Sequence, residues 1–411
     1  MKQKILDEIT DYYLNSKDFN GLSLRNLNTK DVNLLEELID EESIEVLSCR
    51  FVINPHIRMY NLNVSREEQK KELKDNINFC VLYPSKKYLY TLNLSNHKPF
   101  TEMLMKGSNH LDLIFFKMDI LESYFQDPRY HIFFGDYRGT IVTRDKYTSP
   151  DNCDDVEYIK DFGIAYSKSE NRERCIGVFI GDLSDLSLYD QMKWKKYMLS
   201  NQENYYINSS FYKNTILGQW TDKISVYDAI LDEMKLINKL CDNMKLPKLF
   251  KIEFSSESYE ERPDYYRMMF LPTLKNYHDF VMVLEKMFVD NINVDTFKVK
   301  GVGLKTVNPY DKKGKKASIR MFSEWLDLNI INGDMKPIIQ VLKDIRKERQ
   351  LPAHKIIENE YSKEFYKKQD ELIKKVYRSM TCIRALLSNH PVNRSIKIPS
   401  HLKEQEHIVL Y

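Results

Sequence analysis

Lys343-Asp344-Ile345-Arg346-Lys347-Glu348-Arg349-Gln350-Leu351-Pro352-Ala353-His354 is a short polar stretch set between two long helical patterns. Arg349 stays protonated at any physiological pH. Five positions later His354 brings an imidazole, whose ordinary pKa near 6.5 lets it carry a proton in either direction. Together they suit phosphodiester cleavage without a metal. Arg349 can hold a pentavalent phosphate through two N–H groups while His354 moves the proton of the attacking or leaving oxygen. Gln350 adds a neutral donor and acceptor beside them.

An Arg followed by four to six residues and a His is a weak pattern in itself. The chain also holds Arg50 with His56, Arg384 with His390, and Arg394 with His401. Context separates Arg349 and His354 from these: a polar residue follows the Arg, Arg346 and Lys347 make a cationic approach, and helical periodicity flanks both sides. Residues 335–347 carry Ile338, Ile339, Leu342 and Ile345 as a buried stripe, and residues 361–388 carry Phe365, Leu372, Val376, Met380, Ile383 and Leu387. Residues 274–291 and 322–331 repeat the pattern, so the region 265–411 is predicted to be all helical. Pro352 is expected to take the motif out of regular helix.

With these residues in this setting, the segment Arg349-Gln350-Leu351-Pro352-Ala353-His354 resembles the R-x4-6-H signature of HEPN domains. The resemblance covers roughly the last third of the chain. It implies a bundle of four or five helices that pairs with a second copy, so that two Arg/His sets line one cleft. It also implies the activity of the metal-independent RNA-cutting members found in bacterial defence and toxin systems, with Arg349 and His354 as catalytic residues. The family commonly has Asn, Asp or His where this chain has Gln350.

Composition is that of a folded protein of two or three domains: 411 residues, 42% hydrophobic and 30% charged. Net charge is only +2, but residues 301–411 hold 22 Lys and Arg against 13 Asp and Glu, a balance of +9, which leaves −7 for the remainder. A local cationic excess at the motif end favours RNA as partner. Arg346 and Lys347, with Lys312, Lys313, Lys315 and Lys316 around Gly314, are the expected backbone-binding cations. Six cysteines without a C-x-x-C pair read as reduced thiols, and neither a metal site nor a cofactor is expected. No apolar run is long enough to cross a membrane and the amino terminus is unlike a signal peptide, so a cytoplasmic location is expected.

The fold class expected is α+β in three regions. Residues 1–75 run helix, short helix at 22–27, helix at 31–42 and strand at 44–53, the order of a winged helix. Its second long helix carries Asp31, Glu36, Glu37, Asp40, Glu41 and Glu42, which phosphates would repel, so packing or protein contact is expected there. Residues 76–245 form a mixed α/β domain, with strands at 79–83, 89–94, 130–134, 139–144, 158–167 and 175–180 and helices at 99–105, 111–124, 188–199 and 226–240. It lacks a Gly-rich phosphate loop. Asp182, Asp185 and Asp190 are possible metal ligands but read first as turn residues. Asp151 with Glu157 and Lys160 has the wrong spacing for a metal-dependent nuclease core. The aromatic run Tyr205, Tyr206, Phe211, Tyr212 and Trp220 reads as packing before base stacking.

Two functions follow from these residues. The first is an endoribonuclease cutting single-stranded RNA as a homodimer through its C-terminal helices, with the N-terminal two-thirds sensing a trigger or binding an inhibitor. The second is a non-enzymatic regulatory protein with a helical dimerisation module, in which Arg349 and His354 only cap helix ends.

Overall fold

The computed structural model describes the chain except residues 19, 28–30, 49–63, 145–146, 148–157, 171, 257–261, 313, 331–333, 354–357 and 404, and the side chains of 351–353 and 405. The described residues form a mixed α and β protein with a helical C-terminal region. They divide into two compact units, Met1–Phe133 with Tyr137–Thr221, and Phe134–Asp136 with Asp222–Tyr411. The sequence places its boundaries at 75 and 245 instead. The difference at 245 comes from Val226–Asn243, whose apolar face packs along the long helix Glu364–Ser388 of the second unit.

In the first unit, α1 (Lys2–Asn15) buries Ile5, Leu6, Ile9 and Tyr13. Strands β1 (Leu22–Ser23), β2 (Ile44–Ser48) and β3 (Cys80–Pro84) form a sheet in the order β1-β3-β2, with Leu82 opposite both Leu22 and Val46. Residues 22–27 therefore begin as a strand, not the expected short helix. Gly21 permits it: a Cβ there would stand 2.4 Å from the Leu82 carbonyl oxygen, so only glycine brings the two backbones this close. Helix α2 (Val32–Asp40) starts on Asp31, whose side chain accepts from the N–H groups of Asn33 and Leu34. Helix α3 (Arg66–Asp75) starts on a Ser65/Glu68 capping box. Glu36 meets Lys74 at 2.6 Å and Asp40 meets Lys70 at 2.5 Å, so acids of α2 pair with lysines of α3. The far end of the strand expected at 44–53, with Cys49, Arg50 and His56 near it, lies outside the described residues.

The rest of the first unit is built on a larger sheet. Helices α4 (Lys86–Thr91), α5 (Pro99–Met105), α6 (Asp119–Phe125), α7 (Ile180–Ser184), α8 (Leu188–Tyr197) and α9 (Ser209–Thr215) surround strands β4 (Leu113–Phe116), β5 (Tyr130–Phe134), β6 (Arg138–Thr143), β7 (Asp161–Ser167), β8 (Arg174–Phe179) and β9 (Tyr205–Ile207). The order is β4-β8-β7-β6-β5, with β9 also on β7. Two expectations are corrected here. The strand expected at 89–94 falls on the end of α4 and the turn after it, because the Ser85 side chain accepts the Tyr88 N–H and starts a helical turn. The helix expected at 111–124 is β4 followed by α6. Leu113 to Phe116 is an unbroken apolar run of four, which suits a strand against β8, and periodicity alone does not separate the two.

In the second unit, β10 (Ile224–Ser225) leads into α10 (Val226–Asn243). Helix α11 (Leu274–Leu284) continues as a widened π turn, Glu285–Asp290. A two-residue hairpin, β11 (Tyr310–Asp311) with β12 (Gly314–Lys315), precedes α12 (Ser318–Asn329), α13 (Lys336–Ala353) and α14 (Glu364–Ser388). The tail forms α15 (Ser400–Lys403) and then β13 (Ile408–Val409), parallel to β10. Helix α13 runs through Pro352 to Ala353, whereas the sequence puts the motif outside the helix. A proline one residue from the end forfeits a single intrahelical bond, so the final turn survives it. Among the described residues no helix is long and apolar enough to cross a membrane.

Candidate active site

Helix α13 sets the site. Ile338, Ile339, Leu342 and Ile345 are buried, and this stripe holds the helix against α11, α12 and α14. Arg346, Lys347, Arg349 and Gln350 follow from that phase. Lys347 and Gln350 are exposed, and Arg346 and Arg349 sit at the edge of the packed face.

Glu285, at the start of the π turn, meets that edge. Its side chain is only 7% exposed, and Arg349 Nε lies 2.9 Å from Oε2 while Arg346 Nε lies 3.4 Å from Oε1. One buried carboxylate thus faces two guanidinium groups. The Arg349 side chain remains 48% exposed, and an Nε–H contact uses one of the five N–H donors of a guanidinium. Arg346 also reaches Asp290 at 3.5 Å. Just beyond the motif the chain is fastened to the start of α11: Leu274 N–H donates to the Glu360 carbonyl at 2.8 Å and Lys275 N–H to Asn359 Oδ1 at 3.0 Å. His354 lies outside the described residues.

The expected cations separate into two groups. Lys316 is 2.5 Å from Glu324 with a side chain 10% exposed, and Arg346 faces Glu285 and Asp290, so both are committed to partners within the unit. Lys312, Lys315 and Lys347 are exposed; Lys313 lies outside the described residues. Sequence reading passed over Lys374, Lys375 and Arg378, which lie on the exposed side of α14. It also passed over Glu285, although the signal was there. Residues 281, 284, 288 and 289 are apolar and buried, so an acid at 285 sits on an apolar face, where a carboxylate needs a cation.

The other pairs of the same spacing are placed differently. Arg384 is buried against Glu233, and His401 Nε2 is 3.0 Å from Asp232 Oδ2. In the aromatic run, Phe211 is buried and stacks on Phe179 with centroids 5.9 Å apart, while Trp220 is exposed. Cys80, Cys175 and Cys241 are buried, and Cys382 is exposed. Cys49, Cys153, Asp151, Asp154, Asp155 and Glu157 lie outside the described residues.

Among the described residues no group of three or more His, Cys, Asp or Glu is arranged to hold a metal ion. Asp190 helps cap α8: it accepts from Ser187 Oγ at 2.6 Å, and its N–H donates back to that oxygen. Asp182 is half-buried, and desolvation, helped by Asp161 and Asp185, pushes its carboxyl up to about 7. Burial pushes the His110 imidazole down to about 4. Their effects on pH stability oppose each other. Asp182 contributes stability below its unfolded pKa that is lost as pH rises through 7, whereas the His110 contribution is present above 6.5 and lost as pH falls toward 4. Asp182→Asn is therefore expected to stabilise the first unit by about 2–4 kcal/mol at pH 8 and by much less at pH 4.5. Urea unfolding at the two pH values checks this, and an equal change at both would contradict it.

Comparison of the chain with family models, with curated proteins and with solved structures finds no match. The functional reading therefore rests on the chain's own residues and on the motif.

Proposed function

We propose that the chain is a metal-independent endoribonuclease that cuts single-stranded RNA, with Arg349 and His354 as its catalytic pair in a HEPN-like helical domain. The observation that carries the reading is the half-exposed Arg349 at the end of α13, oriented by the buried carboxylate of Glu285. An arginine held in this way is preorganised for a phosphate.

The reaction is a transesterification. His354 takes the proton of the ribose 2′-hydroxyl, the 2′-oxygen bonds to phosphorus, and the bond from phosphorus to the 5′-oxygen breaks as that oxygen takes a proton. The products are a 2′,3′-cyclic phosphate and a 5′-hydroxyl. Arg349 stabilises the charge on the pentavalent phosphate, and Gln350 orients the pair. Exposed Lys312, Lys315 and Lys347 track the RNA backbone. A homodimer through the C-terminal helices, a trigger or inhibitor acting on the N-terminal unit, and a role as a cytoplasmic defence or toxin effector complete the proposal. Residues 1–75 are the winged-helix-like front of this scheme.

The test is incubation of purified protein with a mixed single-stranded RNA in EDTA. Cutting that survives chelation and leaves 2′,3′-cyclic ends supports the proposal. Cutting that requires a divalent metal overturns it.

One observation favours the regulatory reading: a carboxylate between two arginines is also what a purely structural brace between helices looks like. Glu285→Gln separates the two. If Glu285 positions Arg349 for catalysis, the variant loses about 10-fold in cleavage rate while stability falls by only about 1 kcal/mol, since both arginines keep access to water. A brace alone would lower stability with no cleavage to lose.

A further inference from the structure

The second unit contains a cavity of about 350 Å³ that lies apart from Arg349 and Glu285 in its lining. It opens among the C-terminal ends of α10, α12 and α14, with Leu249, Leu304, Phe322, Trp325, Leu386 and His390 in its walls. Phe322 and Leu249 are almost wholly buried, so the cavity is cut into the core of the unit. Protein interiors keep few voids larger than a water molecule, and this volume lies within the range of small-molecule sites.

The chemistry of the wall narrows the occupant. Among the described residues no Lys, Arg, Asp or Glu lines the cavity, so an ionised ligand would lose hydration without gaining a counter-charge. One ring N–H of the wall is placed to meet an acceptor. Trp325 Nε1–H is covered by protein, so Trp325 adds apolar ring surface to the wall. His390 Nδ1 accepts the Val392 N–H, which leaves the proton of the neutral ring on Nε2. A pure hydrocarbon would leave the His390 donor unmatched, whereas a carbonyl oxygen can satisfy it. We propose that this cavity binds an uncharged, largely apolar small molecule that carries a carbonyl-type acceptor.

Two probes of matching shape test the proposal by calorimetry on the full-length protein: 2-acetylnaphthalene, which has the acceptor, and 2-ethylnaphthalene, which lacks it. The ketone is expected to bind one per chain, with a dissociation constant on the order of tens of micromolar and about 5- to 10-fold tighter than the hydrocarbon. Leu386→Trp fills the cavity and should weaken ketone binding at least about 10-fold. Leu304→Trp fills it from another wall and serves if circular dichroism shows the first variant unfolded. The preference for the ketone should collapse in His390→Phe. Absence of saturable binding to the wild type, or unchanged binding to a folded, filled variant, overturns the proposal. So does ketone binding that falls away as protein concentration rises, which would mean that a second copy of the chain covers the cavity. Equal binding of the two probes overturns the acceptor. None of these readouts involves RNA, so they stand or fall separately from the nuclease.

Discussion

His354→Ala is expected to cut single-stranded RNA at least about 100-fold more slowly than the wild-type chain, in EDTA and with an unchanged circular dichroism spectrum. An alanine keeps the helical propensity and removes the group that moves the proton, so the loss should appear in the chemical step and not in RNA binding. Arg349→Lys sharpens the test. Lysine keeps the positive charge but not the planar fork that meets two phosphate oxygens, and it has no Nε–H to set against Glu285 at the observed 2.9 Å. A fall of about 10- to 100-fold in Arg349→Lys, with RNA affinity nearly intact, would place Arg349 at the transition state. If both variants cut like wild type, the assignment of this pair is wrong whatever the activity of the protein proves to be.

Much of the helical part of the structure was legible because its signals are local. The stripes of α13 and α14 state their period directly, and Ile345 and Ile383 are indeed core residues. Two of the failures share a physical origin. At residues 22–27 and 113–116 what decides between strand and helix is a partner distant in sequence, whereas at 89–94 the nearby Ser85 cap decides it. Leu82 pairs with Leu22, and Gly177 with Phe115. The candidate site divides in the same way. Arg349 was legible as a charged residue at the end of an apolar stripe, while its partner Glu285 is 64 positions earlier, and only the packing of α11 on α13 brings them together. Lys316 shows the reverse: a lysine in a basic run reads as an RNA contact until Glu324, one helix later, is found beside it.

Arg384 carries that lesson into a prediction about stability. By spacing alone, Arg384 with His390 is as good a motif as Arg349 with His354, yet its guanidinium is buried. Its Nε lies 2.7 Å and 3.0 Å from the two oxygens of Glu233, and Nη2 donates to the Leu402 carbonyl at 3.3 Å. Glu233 is fully buried on α10, and Thr381 Oγ1 donates to it at 3.2 Å. Replacing Arg384 by Met leaves an uncompensated buried carboxylate and is expected to cost the second unit about 3–5 kcal/mol at pH 8. The pH dependence follows from Glu233, whose carboxyl burial already holds above its usual range even with Arg384 beside it. Without the guanidinium it rises further, so the folded variant prefers a protonated Glu233. That preference is satisfied below the unfolded pKa near 4.5 and is lost as pH rises through the folded value. The variant should thus approach wild-type stability near pH 4 and diverge above it. The double variant Glu233→Leu with Arg384→Met should regain most of the loss at pH 8, because an apolar pair has no charge to strand. Urea unfolding of the three proteins across pH 4 to 8 decides the matter. An Arg384→Met variant as stable as wild type at pH 8 would mean that the pair does not hold α10 to α14.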